Sequence, residues 1–358
     1  MKSILLTSTA LVAFAGAASA GGHASPISFT GEATLGYNDE AQGGFYWDSS
    51  LDVTGTAGLD NGLTATASFG LDIADGNLGG DVMASDFTVT IAGGGASLTF
   101  GDTDPVAEAN FADVSGMQAV SFNDQDRHFD VAGFEAMLVG SATVAGFTAQ
   151  ISYGVDNGAG NDLTGEQIDA MQIHVNGALS GFTIDFAYQE EFGPTPTIFG
   201  ISGSTSLGGA DITIAYADRD AGIDGPAITS TGISVSYPVG PVTVGGYYTM
   251  NDGGTDEFGV SADYVNGPIS VSAAYDDDGT DGGDSFSVEG SYDVGNGLTV
   301  LAGLVDSGDA YYVAGELDLG SGATLLVSYA DDDNNGANDE IGDPEYNAGA
   351  TVEVSFSF

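Results

Sequence analysis

Basic side chains are almost missing from this chain. Only 3 Lys and Arg residues stand against 52 Asp and Glu, a formal net charge of -49 at pH 7. Double-stranded nucleic acid would be repelled from nearly every face of such a polyanion, so no nucleic-acid partner is expected and small cations are the natural company. Cysteine is absent, which excludes a disulfide scaffold and is compatible with an oxidising compartment without establishing one. Beyond residue 20 there is no apolar run long enough for a spanning helix, so a membrane-embedded form of this chain must be a closed barrel. Histidine is scarce too, at His23, His128 and His174. A hydrolase needs a His placed beside a Ser nucleophile, and His174 alone between Ile173 and Val175 is a poor basis for one; the chain reads as a non-enzyme.

What is present begins with a leader. Lys2 supplies a positive start, residues 4–17 are apolar and small, and Ala18-Ser19-Ala20 is an A-x-A processing site. This is a secretory signal peptide over residues 1–20, leaving 21–358 as one domain. With 19 Phe, 15 Tyr and 42% hydrophobic residues, the remainder carries too much patterned apolar surface to be a disordered acidic chain.

That pattern is an alternation of apolar and polar residues in short runs, the mark of half-buried β-strands. Ile27, Phe29, Ala33, Leu35 and Tyr37 form one face of the first strand, and the rhythm continues to a last strand read from Tyr346 to Phe358. The count is 20 strands, within a range of 16 to 20 that a merged hairpin would allow. Every second connection is a tight turn, among them Asp60-Asn61-Gly62, Ala145-Gly146, Ser180-Gly181 and Gly295-Asn296-Gly297. The intervening connections are long and polar, such as 74–85, 156–170, 218–227 and 331–345. Short turns at one end and long loops at the other are what an antiparallel outer-membrane barrel builds, with the short turns facing the periplasm. The fold class expected is therefore an all-β transmembrane antiparallel barrel.

Charge placement agrees with a register taken from the apolar residues alone. Most acids fall in the long loops. Nearly all of the rest fall opposite the apolar face, at Glu32, Asp48, Asp52, Asp72, Asp86, Glu135, Asp185, Asp211, Asp263, Glu257, Glu289, Asp293, Glu316, Asp318 and Glu353. A charge on the lipid face would cost energy according to its depth, so these are read as lumen carboxylates. Tyr37, Tyr153, Tyr188, Tyr216, Tyr248, Tyr275 and Tyr329 sit near the long-loop ends, where a barrel carries its interfacial girdle.

One stretch breaks the alternation. Residues 101–130 read GDTDPVAEANFADVSGMQAVSFNDQDRHFD, mixing carboxylates, a Pro and scattered apolars over a length that in a β-protein is more often functional than filler. Following the fifth strand at the long-loop end, it is the third external loop and is expected to fold inward. The opening strand ISFTGEATLGY, the segment ASLTFGDTDPVAEANFADVSG and the closing VEVSFSF together resemble the general diffusion porins of alphaproteobacteria, of the Rhodobacter type. The resemblance implies a 16-stranded trimer in the outer membrane whose third loop forms an eyelet, with acids on the loop facing basic residues on the wall. It would make Asp102, Asp104, Glu108 and Asp113 the loop-side acids, with Asp124, Asp126, Arg127 and Asp130 completing the charged positions of the loop. It also makes the terminal Phe358 an assembly signal. The basic cluster is missing: no strand run carries Lys or Arg, Arg127 lies in the loop itself, and Arg219 is read in another external loop.

The expectation that follows is a water-filled, cation-selective channel for passive diffusion of ions and small hydrophilic solutes, with outer-membrane lipid as its surroundings and no cofactor required. Calcium is the one ion suggested by pattern. Asp331, Asp333 and Asn335 match the first half of a D-x-[DN]-x-[DN]-G loop, although Gly342 stands where the bidentate Glu belongs, and a solvated acidic loop reads the same way. The rival reading is a secreted, calcium-stabilised acidic β-protein of surface-layer or adhesin type, which fits the composition but gives no reason for loops sorted by length.

Overall fold

The computed structural model of the chain describes residues 26–75, 83–120, 122, 136–155, 168–190, 196–220, 227–280, 282–332 and 340–358. The first strands are β1 (Ile27–Asn38), β2 (Gly44–Gly58), β3 (Thr64–Asp75), β4 (Met83–Gly93) and β5 (Ala96–Gly101). A short helix, α1 (Val106–Asn110), lies in the loop that follows. Then come β6 (Ala136–Val144), β7 (Phe147–Val155), β8 (Ile168–Leu179), β9 (Phe182–Glu190), β10 (Ile198–Leu207), β11 (Ala210–Arg219) and β12 (Ile228–Val239). The series continues with β13 (Val242–Asp252), β14 (Glu257–Asn266), β15 (Ile269–Asp277), β16 (Asp284–Gly295), β17 (Leu298–Val305), β18 (Ala310–Gly320) and β19 (Ala323–Asp332). A two-stranded ribbon of β20 (Glu340–Ile341) and β21 (Tyr346–Asn347) precedes the last strand, β22 (Gly349–Ser357).

Twenty of these strands form one sheet in which each pairs antiparallel with its neighbours in sequence, and β22 returns to pair with β1. Closure leaves no sheet edge, which is the condition for a β-structure to cross hydrocarbon. Each strand presents one apolar face outward: Ile27, Phe29, Leu35 and Tyr37 on β1, and Val352 and Phe356 on β22, are all exposed. The tyrosines at the long-loop ends share this phase, and Tyr248 donates to the loop acid Asp256 at 3.0 Å.

The tight turns are built for the sheet's twist. Ala145 and Gly146 have φ of 54° and 85°, and Ser180 and Gly181 of 54° and 88°. Positive φ at both central positions belongs to the type I′ turn, whose twist matches that of the flanking strands.

Two sequence expectations need correction. The last strand does not run from Tyr346: Tyr346–Asn347 pairs with Glu340–Ile341, and β22 starts only at Gly349, where φ is 93°. Arg219 is not in a loop but is the final residue of β11, paired with Ile198 and Ile228 and in the inward phase.

Among the described residues no apolar core fills the centre of the barrel. Its buried apolar residues form patches where something covers the inner wall. Val114, Met117 and Ala119 pack on Ala215, Ala217 and Ile228. Ala107 and Phe122 pack on Ala187 and Ile198. The third patch lies under the β20–β21 ribbon.

Candidate functional site

The loop after β5 turns into the barrel and lies along the inner faces of β7 to β14. It enters beside β7, where the Val106 amide donates to Ser152 Oγ at 3.1 Å. Gln172 Oε1 on β8 accepts from the Ala107 and Glu108 amides, at 2.8 and 3.2 Å. Gln172 Nε2 donates in turn to Gln189 Oε1 on β9 at 2.9 Å, and Gln189 Nε2 to the Pro196 carbonyl at 3.0 Å. Ahead of it the wall is lined with small residues. A Cβ at Gly200 would fall 2.7 Å from the Phe111 ring, and one at Gly232 would fall 2.6 Å from Val114 Cβ.

At the far end of its path the loop is held by Asn251 on β13. Asn251 Nδ2 donates to the Gly116 carbonyl at 2.8 Å, and Asn251 Oδ1 accepts from the Gln118 amide at 3.2 Å. Thr249 Oγ1 donates to the Ser115 carbonyl at 2.8 Å. Gln118 Nε2 reaches Glu257 Oε1 on β14 at 2.7 Å, and the Ala119 amide donates to Ser230 Oγ at 3.0 Å. Burying Val106, Val114, Met117 and Phe122, at about 1.5–3 kcal/mol per large side chain, adds apolar anchoring to these bonds. Along the loop, Asp102, Asp104, Glu108 and Asp113 are exposed.

His174 lies on β8, at the inward position next to Gln172. It is fully buried, with Nε2 3.0 Å from Asp185 Oδ2 and Nδ1 3.1 Å from Gln150 Oε1. Asp185 is therefore a buried partner of His174 and not an open lumen charge.

The lumen carboxylates divide into two sets. Glu32, Asp52 and Asp263 face open water, and Asp72 is half-buried on β3. Asp48 also lies in the inward phase of β2. Others are committed to the protein: Glu353 Oε2 accepts from Tyr46 at 2.6 Å, Asp318 Oδ1 from the Gly320 amide at 2.7 Å in a short turn, Glu289 from Tyr312 on β18 and Glu316 from Tyr346 on β21. Asp86 is on β4. Glu135, Asp124, Asp126, Arg127 and Asp130 lie outside the described residues, as do Asp333 and Asn335. Asp331 is at the outer end of β19, where it accepts from Tyr311 at 3.1 Å. Among the described residues no group of three or more His, Asp or Glu side chains converges on a metal-sized site.

Around the ring, the wall facing the inward loop is β22 with β1, β2 and β3, which carries Glu353, Glu32, Asp48, Asp52 and Asp72. Arg219 is the only Lys or Arg among the described residues. It sits on the loop's own side of the barrel and makes no ion pair among the described residues.

The model of the family described as Gram-negative porin matches residues 7–257. The chain belongs to that family. Among solved structures, this porin is similar to a substituted variant of the Rh. blastica porin, at 18% identity over 93% of this chain and 100% of that one with a TM-score of 0.41. A triple mutant of the Rhodopseudomonas blastica porin gives 17% identity over the same shares, with a TM-score of 0.43. No curated protein matches the chain. Family and closed barrel together make the protein an outer-membrane channel. The surface-layer alternative leaves the outward apolar band without a purpose.

Sequence reasoning missed the bed on which the loop lies. Part of its signal was available: the inward positions of β9 to β12 include Ala187, Gly200, Ser202, Ala215, Ala217, Ser230 and Gly232, a run of small residues among larger ones such as Gln189, Ile198 and Ile228.

Proposed function

We propose that this porin is a strongly cation-selective diffusion channel, narrowed by the loop at 101–130 and assembled as a homotrimer as its family resemblance implies. The observation that carries the reading is that the wall across from the loop is acidic. Glu32, Asp52 and Asp72 stand where a transverse field would require Lys or Arg. Loop acids Asp102, Asp104, Glu108 and Asp113 then face charge of their own sign. Carboxylates of one sign around a lumen walled by low-dielectric protein concentrate cations and repel anions. Passage needs no chemistry, only hydrated ions and small hydrophilic solutes moving down their gradients.

In a planar bilayer under a KCl gradient, the reversal potential should approach the Nernst limit for K⁺ at low salt. It should decline at high salt, as the Debye length shrinks from about 10 Å at 0.1 M to about 3 Å at 1 M. A reversal potential on the chloride side would end the proposal.

Acidification supplies a second handle. Asp113 is exposed as a residue, yet burial of its carboxyl raises its pKa, an effect its own backbone amide only partly offsets. It therefore takes up a proton at higher pH than an ordinary carboxylate, whose range centres near about 4. Selectivity should begin to fall above that range, and Asp113→Asn should abolish this first step while leaving the later one. Reversal potentials recorded from pH 7 downward on both proteins check it; coincident titration curves would contradict it.

A further inference from the structure

Glu289 and Glu316 anchor a second segment that enters the barrel. The β20–β21 ribbon rests on the inner faces of β17 to β19, with Ile341 and Tyr346 only 3% and 2% exposed against Tyr312, Ala314 and Ala330. The Tyr346 ring lies 4.8 Å from that of Tyr312. Tyr312 Oη donates to Glu289 Oε2 at 2.9 Å, and the Asp343 amide donates to the same oxygen at 2.8 Å. Tyr346 Oη donates to Glu316 Oε1 at 3.1 Å. Beyond the ribbon, Asn38 Nδ2 on β1 holds the Ala348 carbonyl at 2.8 Å.

Depth follows from the anchors. Glu289 and Glu316 stand near the middle of β16 and β18, so the segment sits within the membrane-spanning height and not on the rim. The wall makes room for it: a Cβ at Gly303 would fall 2.2 Å from the Tyr312 ring. One side of the segment is thus apolar and hydrogen-bonded to the wall, while Asp343, Pro344 and Glu345 at its tip are exposed.

We infer that residues 340–348 form a second constricting element, which sets solute selection together with the loop after β5. The loop covers β7 to β14, and the ribbon covers the wall from β17 to β19, so the free path runs between two inserts whose charged side chains among the described residues are all acidic. Glu289 and Glu316 serve as positioning residues, and Asp343 at the tip takes the place of a charge lining the path. The solutes favoured are hydrated inorganic cations and slender organic ammonium compounds. This rests on the channel reading.

The absence of cysteine makes the test clean, because Asp343→Cys supplies a single thiol. Channels are first recorded unmodified, then exposed to a bulky cationic methanethiosulfonate reagent. Conductance should fall at least twofold and recover on reduction. Asp60→Cys, in a short turn at the other end, should show no change when labelled. Complete labelling at Asp343→Cys, verified by mass, with conductance unchanged would overturn the inference, as would an equal fall at Asp60→Cys. Unmodified protein that forms no channels would instead count against the pore itself. A second variant keeps every charge: Tyr312→Phe with Tyr346→Phe removes the hydroxyl anchors and should enlarge the solute cut-off in liposome swelling with the sign of selectivity unaltered. An unchanged cut-off counts against the inference.

Discussion

Replacing Asn251 and Gln172 together by alanine should leave the barrel closed but free its inward loop, raising single-channel conductance several-fold and making the open state noisy. Both residues act through side chains alone, so the sheet's own bonds are untouched. Asn251 supports Gly116 and Gln118 and also donates to the Thr255 carbonyl at 2.6 Å. Gln172 receives the Ala107 and Glu108 amides of the helical turn. A buried group left without its partner costs about 1–3 kcal/mol, and the pair strands several at both ends of the loop's path. The apolar contacts of Val114, Met117 and Phe122 remain, but they lack direction and do not fix a single position. Bilayer recordings of wild type and double variant decide the matter. Equal conductance would mean that the loop does not limit the path.

Gly101→Val should have a larger effect, because it strikes where the loop leaves the wall. Gly101 has φ of 136°, and a Cβ there would lie 2.0 Å from the Phe87 carbonyl oxygen. That oxygen cannot retreat, since it accepts from the Asp102 amide at 2.8 Å. The substitution adds backbone strain of about 1–3 kcal/mol to a clash with main chain. The pairing of Gly101 with Thr88 and Met137 would be lost, and with it the entry angle of the loop. Folded yield, read as heat-modifiable mobility on a gel, should collapse. Gly101→Ala, which carries the same Cβ, should lose folded yield as well. Wild-type yield of the valine variant would remove Gly101 as the hinge.

Much of the barrel was legible because alternation and loop length report the same geometry. The number of strands and the inward phase of Glu32, Asp52 and Asp263 both followed from apolar residues facing lipid. Alternation fails where that lipid ends. β11 continues through Asp218 and Arg219 because sheet hydrogen bonds persist above the hydrocarbon, where nothing selects for apolar side chains. The ribbon stayed hidden for the opposite reason. Tyr346, Ala348 and Ala350 keep the period of Val352 and Val354, so they read as one strand, although β22 starts only at Gly349. Commitment of individual acids was not readable at all. Glu289 and Asp52 share an inward phase, yet only Glu289 meets a tyrosine and an incoming amide, and those partners come from distant sequence.

The return of β22 to β1 has a consequence for how the molecule comes to exist. Every other pairing joins consecutive barrel strands, about half of them through tight turns and the rest through longer loops. The last one joins opposite ends of the chain through seven residue pairs, from Glu32 with Ser357 to Asn38 with Thr351, against twelve between β1 and β2. Two further bonds between Gly31 and Phe358 complete it. This seam closes the longest loop of the fold, although its entropy cost grows only with the logarithm of that length. An assembling barrel is thus an open, curling sheet until its final residues arrive, and the seam is the natural place for a folding machine to hold it, or for the wall to part.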